Sequence, residues 1–145
     1  MLSKNTKETD KIAKIFLDKL LKSKRQQGAL VVGLSGDLGS GKTAFTKLVA
    51  KNLGIKNKVF SPTYVIMKKY PIKQKGYRFF FHLDAYRLEN EKELLNLGWE
   101  EIINNKEHLI FIEWPENVSK VIPSGARFIY IESNEKGHRN FKLKV

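Results

Sequence analysis

Residues 36–43 read Gly-Asp-Leu-Gly-Ser-Gly-Lys-Thr and match the phosphate-binding pattern G-x-x-x-x-G-K-[ST] at every fixed position. The flanks give the motif the context it needs. Upstream, Ala29 to Leu34 (Ala-Leu-Val-Val-Gly-Leu) is a short apolar run suited to a buried parallel strand. Downstream, Phe45, Leu48, Val49 and Leu53 recur at helical spacing, and Gly54 stands where a helix-ending glycine belongs. Glycines allow a tight turn that points successive backbone N–H groups inward, and the following helix adds its positive end. In such a loop Lys42 reaches the β- and γ-phosphates of a nucleotide, and Thr43 offers its hydroxyl to Mg²⁺.

A second apolar run, Leu109-Ile110-Phe111-Ile112, ends in Glu113-Trp114-Pro115. This is the form of a buried strand that delivers a carboxylate beside the phosphates, so Glu113 is the expected partner of Thr43 at the metal. Trp114 follows it directly, where many fast ATPases carry a second, water-activating carboxylate. Asp84, just past the end of the strand Tyr77 to Leu83, is the other candidate, as a metal-side or water-orienting group. His82 reads as structural, because the three histidines are far apart and no cysteine supports a metal cluster. Arg87 and Arg139 could touch phosphate or a partner, whereas Phe79-Phe80-Phe81 reads as core packing. Guanine recognition rides on an N-K-x-D sequence, and Asn57-Lys58 and Asn105-Lys106 both lack its aspartate, which favours adenine nucleotide.

The rest of the chain fills in around these two strands. Asn5 to Lys22 is predicted as an amphipathic helix with Ile12, Ile15, Phe16 and Leu20 on one face and Asn5 and Glu8 as a capping box. Tyr64 to Tyr70 and Tyr77 to Leu83 read as a hairpin about Lys73 to Gly76. A short helix capped by Asn90 and Glu93 stops near Gly98, and another runs through Trp99 to Ile103. Arg127 to Glu132 and Phe141 to Val145 form a last hairpin about Asn134 to Gly137. The expected fold is α/β: a three-layer P-loop NTPase-like domain spanning residues 1–145, its sheet mixed, with a parallel core and antiparallel edge hairpins.

Composition sets the remaining bounds. With 145 residues and 41% hydrophobic content the chain supports one ordinary core, and the absence of cysteine excludes disulfides and thiolate metal sites. No apolar run approaches a membrane span and the first residues lack the apolar stretch of a signal peptide, so a cytoplasmic protein without membrane contact is expected. The net charge of +12 raises the question of nucleic acid, but the basic residues are 22 lysines to 5 arginines, spread along the whole chain.

Several separated motifs coincide with one family. Ser-Gly-Asp-Leu-Gly-Ser-Gly-Lys-Thr from Ser35, Ser-Pro-Thr-Tyr from Ser61, His-Leu-Asp-Ala-Tyr-Arg-Leu from His82, Glu93-Leu94 with Gly98, Ile-Glu-Trp-Pro-Glu from Ile112, and Gly137 with Arg139 occur in its order. The chain resembles the TsaE (formerly YjeE) family, small bacterial P-loop ATPases of tRNA threonylcarbamoyladenosine synthesis. The resemblance runs from about Thr9 to the C-terminus. It implies binding of ATP and Mg²⁺, slow hydrolysis, and work with TsaB and TsaD, which transfer the threonylcarbamoyl group to an adenosine beside the tRNA anticodon; tRNA itself is met indirectly or by weak contact. Carried over by position, the nucleotide stretch comprises Asp37, Leu38, Gly39, Ser40, Gly41, Lys42 and Thr43 and runs on to Ala44, with Thr9 near the base. Lys42, Asp84 and Glu113 serve hydrolysis, and Thr43 with Glu113 holds Mg²⁺. Ser61 to Tyr64 matches a switch-like loop, and Trp114 shapes the site or the partner surface. Two readings compete with a coupled ATPase: a nucleotide-gated assembly factor without significant turnover, and a small-molecule kinase. The kinase should carry an arginine-rich lid that this sequence lacks.

Overall fold

The computed structural model describes residues 1–25, 27–56 and 66–144. The predicted Ser61–Tyr64 loop therefore lies outside the described residues, as do the start of the strand expected from Tyr64 and the terminal Val145.

The elements follow in the order β1 (Leu2–Ser3), α1 (Thr6–Lys22), β2 (Leu30–Ser35), α2 (Lys42–Asn52), β3 (Met67–Gln74), β4 (Tyr77–Asp84), α3 (Glu91–Leu95), α4 (Trp99–Ile103), β5 (His108–Glu113), a 3₁₀ segment (Pro115–Val121), β6 (Arg127–Ser133) and β7 (Arg139–Lys144). Among the described residues, seven strands form one sheet in the order β1-β7-β6-β2-β5-β4-β3. The pairs β6–β2, β2–β5 and β5–β4 are parallel, while β1–β7, β7–β6 and β4–β3 are antiparallel. The mixed α/β sheet with a parallel centre and antiparallel edges is as the sequence predicts.

Burial explains why the central strands are apolar throughout. Alternate residues of β2 and β5 join two cores on opposite faces. Leu30, Val32, Leu34, Leu109 and Phe111 pack with Phe16 and Leu20 of α1 and Phe45 and Val49 of α2. Val31, Ile110 and Ile112 pack on the other side with Leu94 of α3, Trp99 of α4 and Val118. A strand covered on both faces has no position for water. The three phenylalanines on β4 divide accordingly: Phe80 enters the first core and Phe81 the second, with Phe79 packed at its margin.

Helix ends are set by side chains the sequence advertises. Asn5 Oδ1 accepts from the Glu8 N–H at 2.9 Å, and the Glu8 carboxylate accepts from the Lys4 N–H at 3.1 Å. That is the predicted capping box, with its return bond one residue early. Gly54, at φ +84°, ends α2: its N–H reaches the Lys51 carbonyl at 3.0 Å and the Ile55 N–H reaches Ala50 at 3.1 Å. A left-handed residue is needed there, and glycine takes it without a Cβ clash.

Several expectations shift. Ile15, expected on one face of α1 with Ile12, Phe16 and Leu20, is exposed and outside the core they join. The strand before the hairpin does not stop at Tyr70 but runs through Pro71 to Gln74, and the turn contracts to Lys75-Gly76. Pro71 is tolerated because β3 is the outermost strand, and the register slips between Pro71 and Gln74. Asn90 caps α3 through the Lys92 N–H at 2.9 Å, one residue ahead of the expected Glu93.

Strand register aligns the residues that carry chemistry. Leu34 lies opposite Glu113 across β2–β5, and Asp84 lies opposite Glu113 across β4–β5. The carboxyl ends of three neighbouring parallel strands are therefore level, and the glycine loop leaves β2 one residue beyond that line. Ligand crevices in open α/β sheets lie at this edge.

Candidate active site at the carboxyl edge of the sheet

A cleft of about 580 Å³ opens at this edge, within the range of small-molecule sites. One wall is the glycine loop and first turn of α2, contributed by Leu38, Gly39, Gly41, Lys42, Thr43 and Ala44. Asp84, Glu113 and Trp114 come from the strand ends, and Tyr86, Arg87, Leu88 and Glu93 close the far side.

The loop leaves backbone donors that could hold an anion. It ends in Gly41 at φ +104°, from which α2 starts without a side-chain cap, so its first N–H groups are left to a ligand. A Cβ at Gly41 would also run into the Arg139 guanidinium at the start of β7, which the sheet order brings over the loop. Ser40 is buried, and its Oγ has no hydrogen-bond partner among the described residues. Leu38, at the loop tip, is 72% exposed.

Lys42 is folded into the loop rather than out to water. Its Nζ donates to the Gly36 carbonyl at 2.5 Å and the Asp37 carbonyl at 3.0 Å, and it lies 4.0 Å from the centre of the Trp114 ring. Burial pulls the ammonium below the ordinary lysine range, against the opposing pull of Glu113, Glu116, Asp84 and Asp37. A cation among backbone carbonyls and one aromatic face, with no salt-bridge partner within reach among the described residues, is suited to exchange those contacts for phosphate oxygens.

The floor of the cleft is a polar chain. The Thr43 hydroxyl donates to Glu113 Oε1 at 2.7 Å, and Glu113 Oε2 lies 2.5 Å from His82 Nε2. Glu113 is 3% exposed and His82 is fully buried. Asp84 sits beside them and accepts the Tyr86 N–H at 3.0 Å. Burial raises its carboxyl above the usual carboxylate value, and the nearby Glu113 charge adds to that effect. The Tyr86 N–H, His82 and Lys42 work the other way. Among the described residues no three His, Cys, Asp or Glu side chains form a metal cage. The oxygen donors of Thr43 and Glu113 suit Mg²⁺, a hard cation commonly held by one or two carboxylates together with phosphates.

Trp114 is the one non-glycine residue with positive φ among the described residues, at +60°. It is held between Glu113 and Pro115, and its ring meets Tyr86 at 5.0 Å. Left-handed backbone at a bulky residue costs about 1–2 kcal/mol, and such strain clusters at sites.

The sequence-predicted residues thus fall into two groups. Lys42, Thr43, Asp84 and Glu113 converge within one cleft with the glycine loop. Thr9 does not line it: the side chain is 6% exposed in the first turn of α1, bonded to Ser3 Oγ at 2.6 Å and to the Asn5 carbonyl at 3.1 Å. Sequence reasoning missed the contact of His82 with Glu113, and the bond from Ser35 Oγ to Glu116 at 3.0 Å below the loop. The only available signal for His82 was its place two residues before Asp84 on an apolar strand.

Comparison with known proteins shows which family the chain resembles. The family described as "Threonylcarbamoyl adenosine biosynthesis protein TsaE" matches residues 3–141. A protein of Haemophilus influenzae named tRNA threonylcarbamoyladenosine biosynthesis protein TsaE is 32% identical over 133 residues, covering 92% of this chain and 80% of the relative. The protein of the same name from Borreliella burgdorferi is 42% identical over 95 residues, 66% of either chain. Among solved structures, YdiB of Bacillus subtilis superposes with a TM-score of 0.74 at 28% identity, over all of this chain and 83% of that one.

Proposed function

The chain belongs to the TsaE family, and from that premise we propose that it is a Mg²⁺-dependent ATP-binding protein and slow ATPase of P-loop type. It acts in the cytoplasm with TsaB and TsaD in threonylcarbamoyl modification of tRNA. The observation that carries the reading is the Thr43–Glu113 bond at 2.7 Å, on a cleft floor faced by the Lys42 ammonium.

Each residue has a role that its surroundings support. The backbone N–H groups of Gly39 to Thr43 receive phosphate oxygens. Lys42 gives up the Gly36 and Asp37 carbonyls to follow the β- and γ-phosphates. Thr43 and Glu113 would hold Mg²⁺, which supplies charge neutralisation of the phosphoryl group. Asp84, whose carboxyl is raised by burial above the usual carboxylate value and so made more basic, orients the attacking water from the strand next to Glu113. No carboxylate follows Glu113, since Trp114 occupies that place, so basal turnover is slow.

The test is ATP turnover by the purified chain, alone and with TsaB, TsaD and tRNA. Low basal turnover that rises with the partners supports a coupled ATPase. Tight ATP binding without hydrolysis under either condition supports a nucleotide-gated assembly factor instead and removes the hydrolytic role of Asp84. Normal hydrolysis by Lys42→Ala would overturn the site itself.

A further inference from the structure

His82 is fully buried on β4 between Phe81 and Leu83, which both enter the core beneath α3 and α4. Strand alternation turns His82 the other way, to the face where Phe80 packs under α1 and α2. Glu113 ends β5 on that same face, in alternation with Leu109 and Phe111. The two side chains meet there, Nε2 to Oε2 at 2.5 Å. A carboxylate only accepts, so Nε2 carries the proton of this bond. Among the described residues His82 Nδ1 is left buried with no partner.

An imidazole with one nitrogen unpaired is a poor core residue. A buried polar group without a partner costs about 1–3 kcal/mol, which an apolar side chain of similar volume avoids. Among the described residues the one polar contact His82 makes is with Glu113. Glu113 has three side-chain torsions, and the Thr43 hydroxyl fixes only Oε1. With His82 on Oε2 the carboxylate is held at both oxygens, and Oε1 is kept on the Thr43 side, toward the cleft.

We propose that His82 is a positioning residue for the divalent-cation carboxylate: a buried imidazole that pins Glu113 Oε2 from behind, so that Oε1 and the Thr43 hydroxyl are presented together. The proposal rests on the reading of the cleft as a Mg²⁺–nucleotide site. Outer partners of metal ligands typically change metal affinity by about 10- to 100-fold when removed, and His82 is placed as one of these.

The test is the Mg²⁺ dependence of ATP affinity, measured by calorimetry across a Mg²⁺ series and again in EDTA, with thermal melts as the control for folding. In His82→Leu the Mg²⁺ concentration for half-maximal effect should rise by about 10-fold or more, while the affinity in EDTA stays close to wild type. His82→Gln places an amide N–H near the Nε2 position and should recover most of the loss. His82→Asn, one methylene shorter, should not, and this pair decides the matter if the leucine variant fails to fold. A wild-type Mg²⁺ midpoint in a folded leucine or asparagine variant would overturn the proposal. So would equal weakening with and without Mg²⁺, which marks a purely structural role. If wild-type protein binds ATP with no Mg²⁺ response, the reading of the cleft fails and this inference fails with it.

Discussion

Removing the Glu113 carboxylate separates the chemistry of the cleft from its contribution to the fold. Glu113→Ala deletes the acceptor of two bonds at 3% exposure. Thr43 sits in the first turn of α2, where its hydroxyl can rotate to another acceptor. The His82 ring cannot, because Nδ1 already has no partner and the side chain is sealed between sheet and helix. Orphaning that N–H costs about 1–3 kcal/mol, and exchanging the Thr43 bond for one to a neutral acceptor adds about 1 kcal/mol, for about 2–4 kcal/mol in all. At this chain length about 4 °C of melting temperature accompanies each kcal/mol, so the alanine variant should melt about 8–16 °C lower. Glu113→Gln keeps one acceptor oxygen and a polar group for His82, and should lose no more than about 1 kcal/mol. Both variants should lose the Mg²⁺ response of ATP binding. The assays are a thermal melt and the Mg²⁺ series on the same preparations. If the alanine and glutamine variants melt together, the buried chain from Thr43 to His82 contributes nothing to stability. If the glutamine variant keeps the wild-type Mg²⁺ response, Glu113 is not the metal carboxylate.

Gly41→Ala should cost about 1–2 kcal/mol from the φ of +104° alone; because its Cβ also displaces Arg139, ATP affinity should fall more than the melt does, and unchanged affinity would show that the loop tolerates a side chain. ATP should change the tryptophan emission, since Lys42 leaves the Trp114 face while Trp99 stays fully buried with its indole N–H on the Val121 carbonyl; Trp114→Phe should abolish that change, and its survival would place the signal elsewhere. Asp10 ties α1 to α2 by accepting from the Asn52 amide at 3.0 Å, which is the main reason its carboxyl lies below the ordinary value, with Lys14 and Lys51 adding to it. Its folded-state pKa is depressed, so its stabilisation is present above the unfolded value near 3.8 and is lost as pH falls through the lower folded value. Asp10→Asn should therefore destabilise by about 0.5–1.5 kcal/mol at neutral pH and match wild type in acid melts; a constant difference down to the acid end would refute the charge-based account.

Much of the fold and of the cleft was legible because the signals are local. A glycine loop between an apolar run and a helical periodicity leaves little freedom, and Leu109 to Glu113 reads as a buried strand for the same reason that β2 does: both faces are covered. The N-terminal cap, the Gly54 stop and the closing hairpin depend on residues within a few positions of one another. What escaped depends on partners far apart in sequence. Pro71 looks like a strand breaker until β3 is known to be an edge. Residues Leu2–Ser3 are too few to show a period, and they become a strand only because β7 offers its edge. His82 lies 31 residues from Glu113, and their meeting depends on the β4–β5 register, which no window of sequence contains.

The fold holds its unfavourable features together at one edge. The left-handed Trp114, the unpaired Ser40 hydroxyl, the unpaired His82 Nδ1, the buried Lys42 cation and the Asp84 carboxyl with raised proton affinity all lie at the carboxyl ends of β2, β4 and β5 or in the loop leaving them. Arg127 Nε is the one other unpaired buried side-chain atom among the described residues. It belongs to a guanidinium that reaches the carbonyls of Lys24 and Gly125 at the far end of the sheet. Apart from Arg127 Nε, the buried side-chain nitrogens and oxygens of the described residues elsewhere are paired, so these costs are not general looseness. An anion that takes the loop N–H groups and the Lys42 ammonium would relieve the burial cost of that cation. The free energy held in those contacts then appears as affinity, and a bound nucleotide at 100 times its Kd should raise the stability of the chain by about 2.7 kcal/mol. A melt that does not move under those conditions would mean that the cleft is strained for some purpose other than binding.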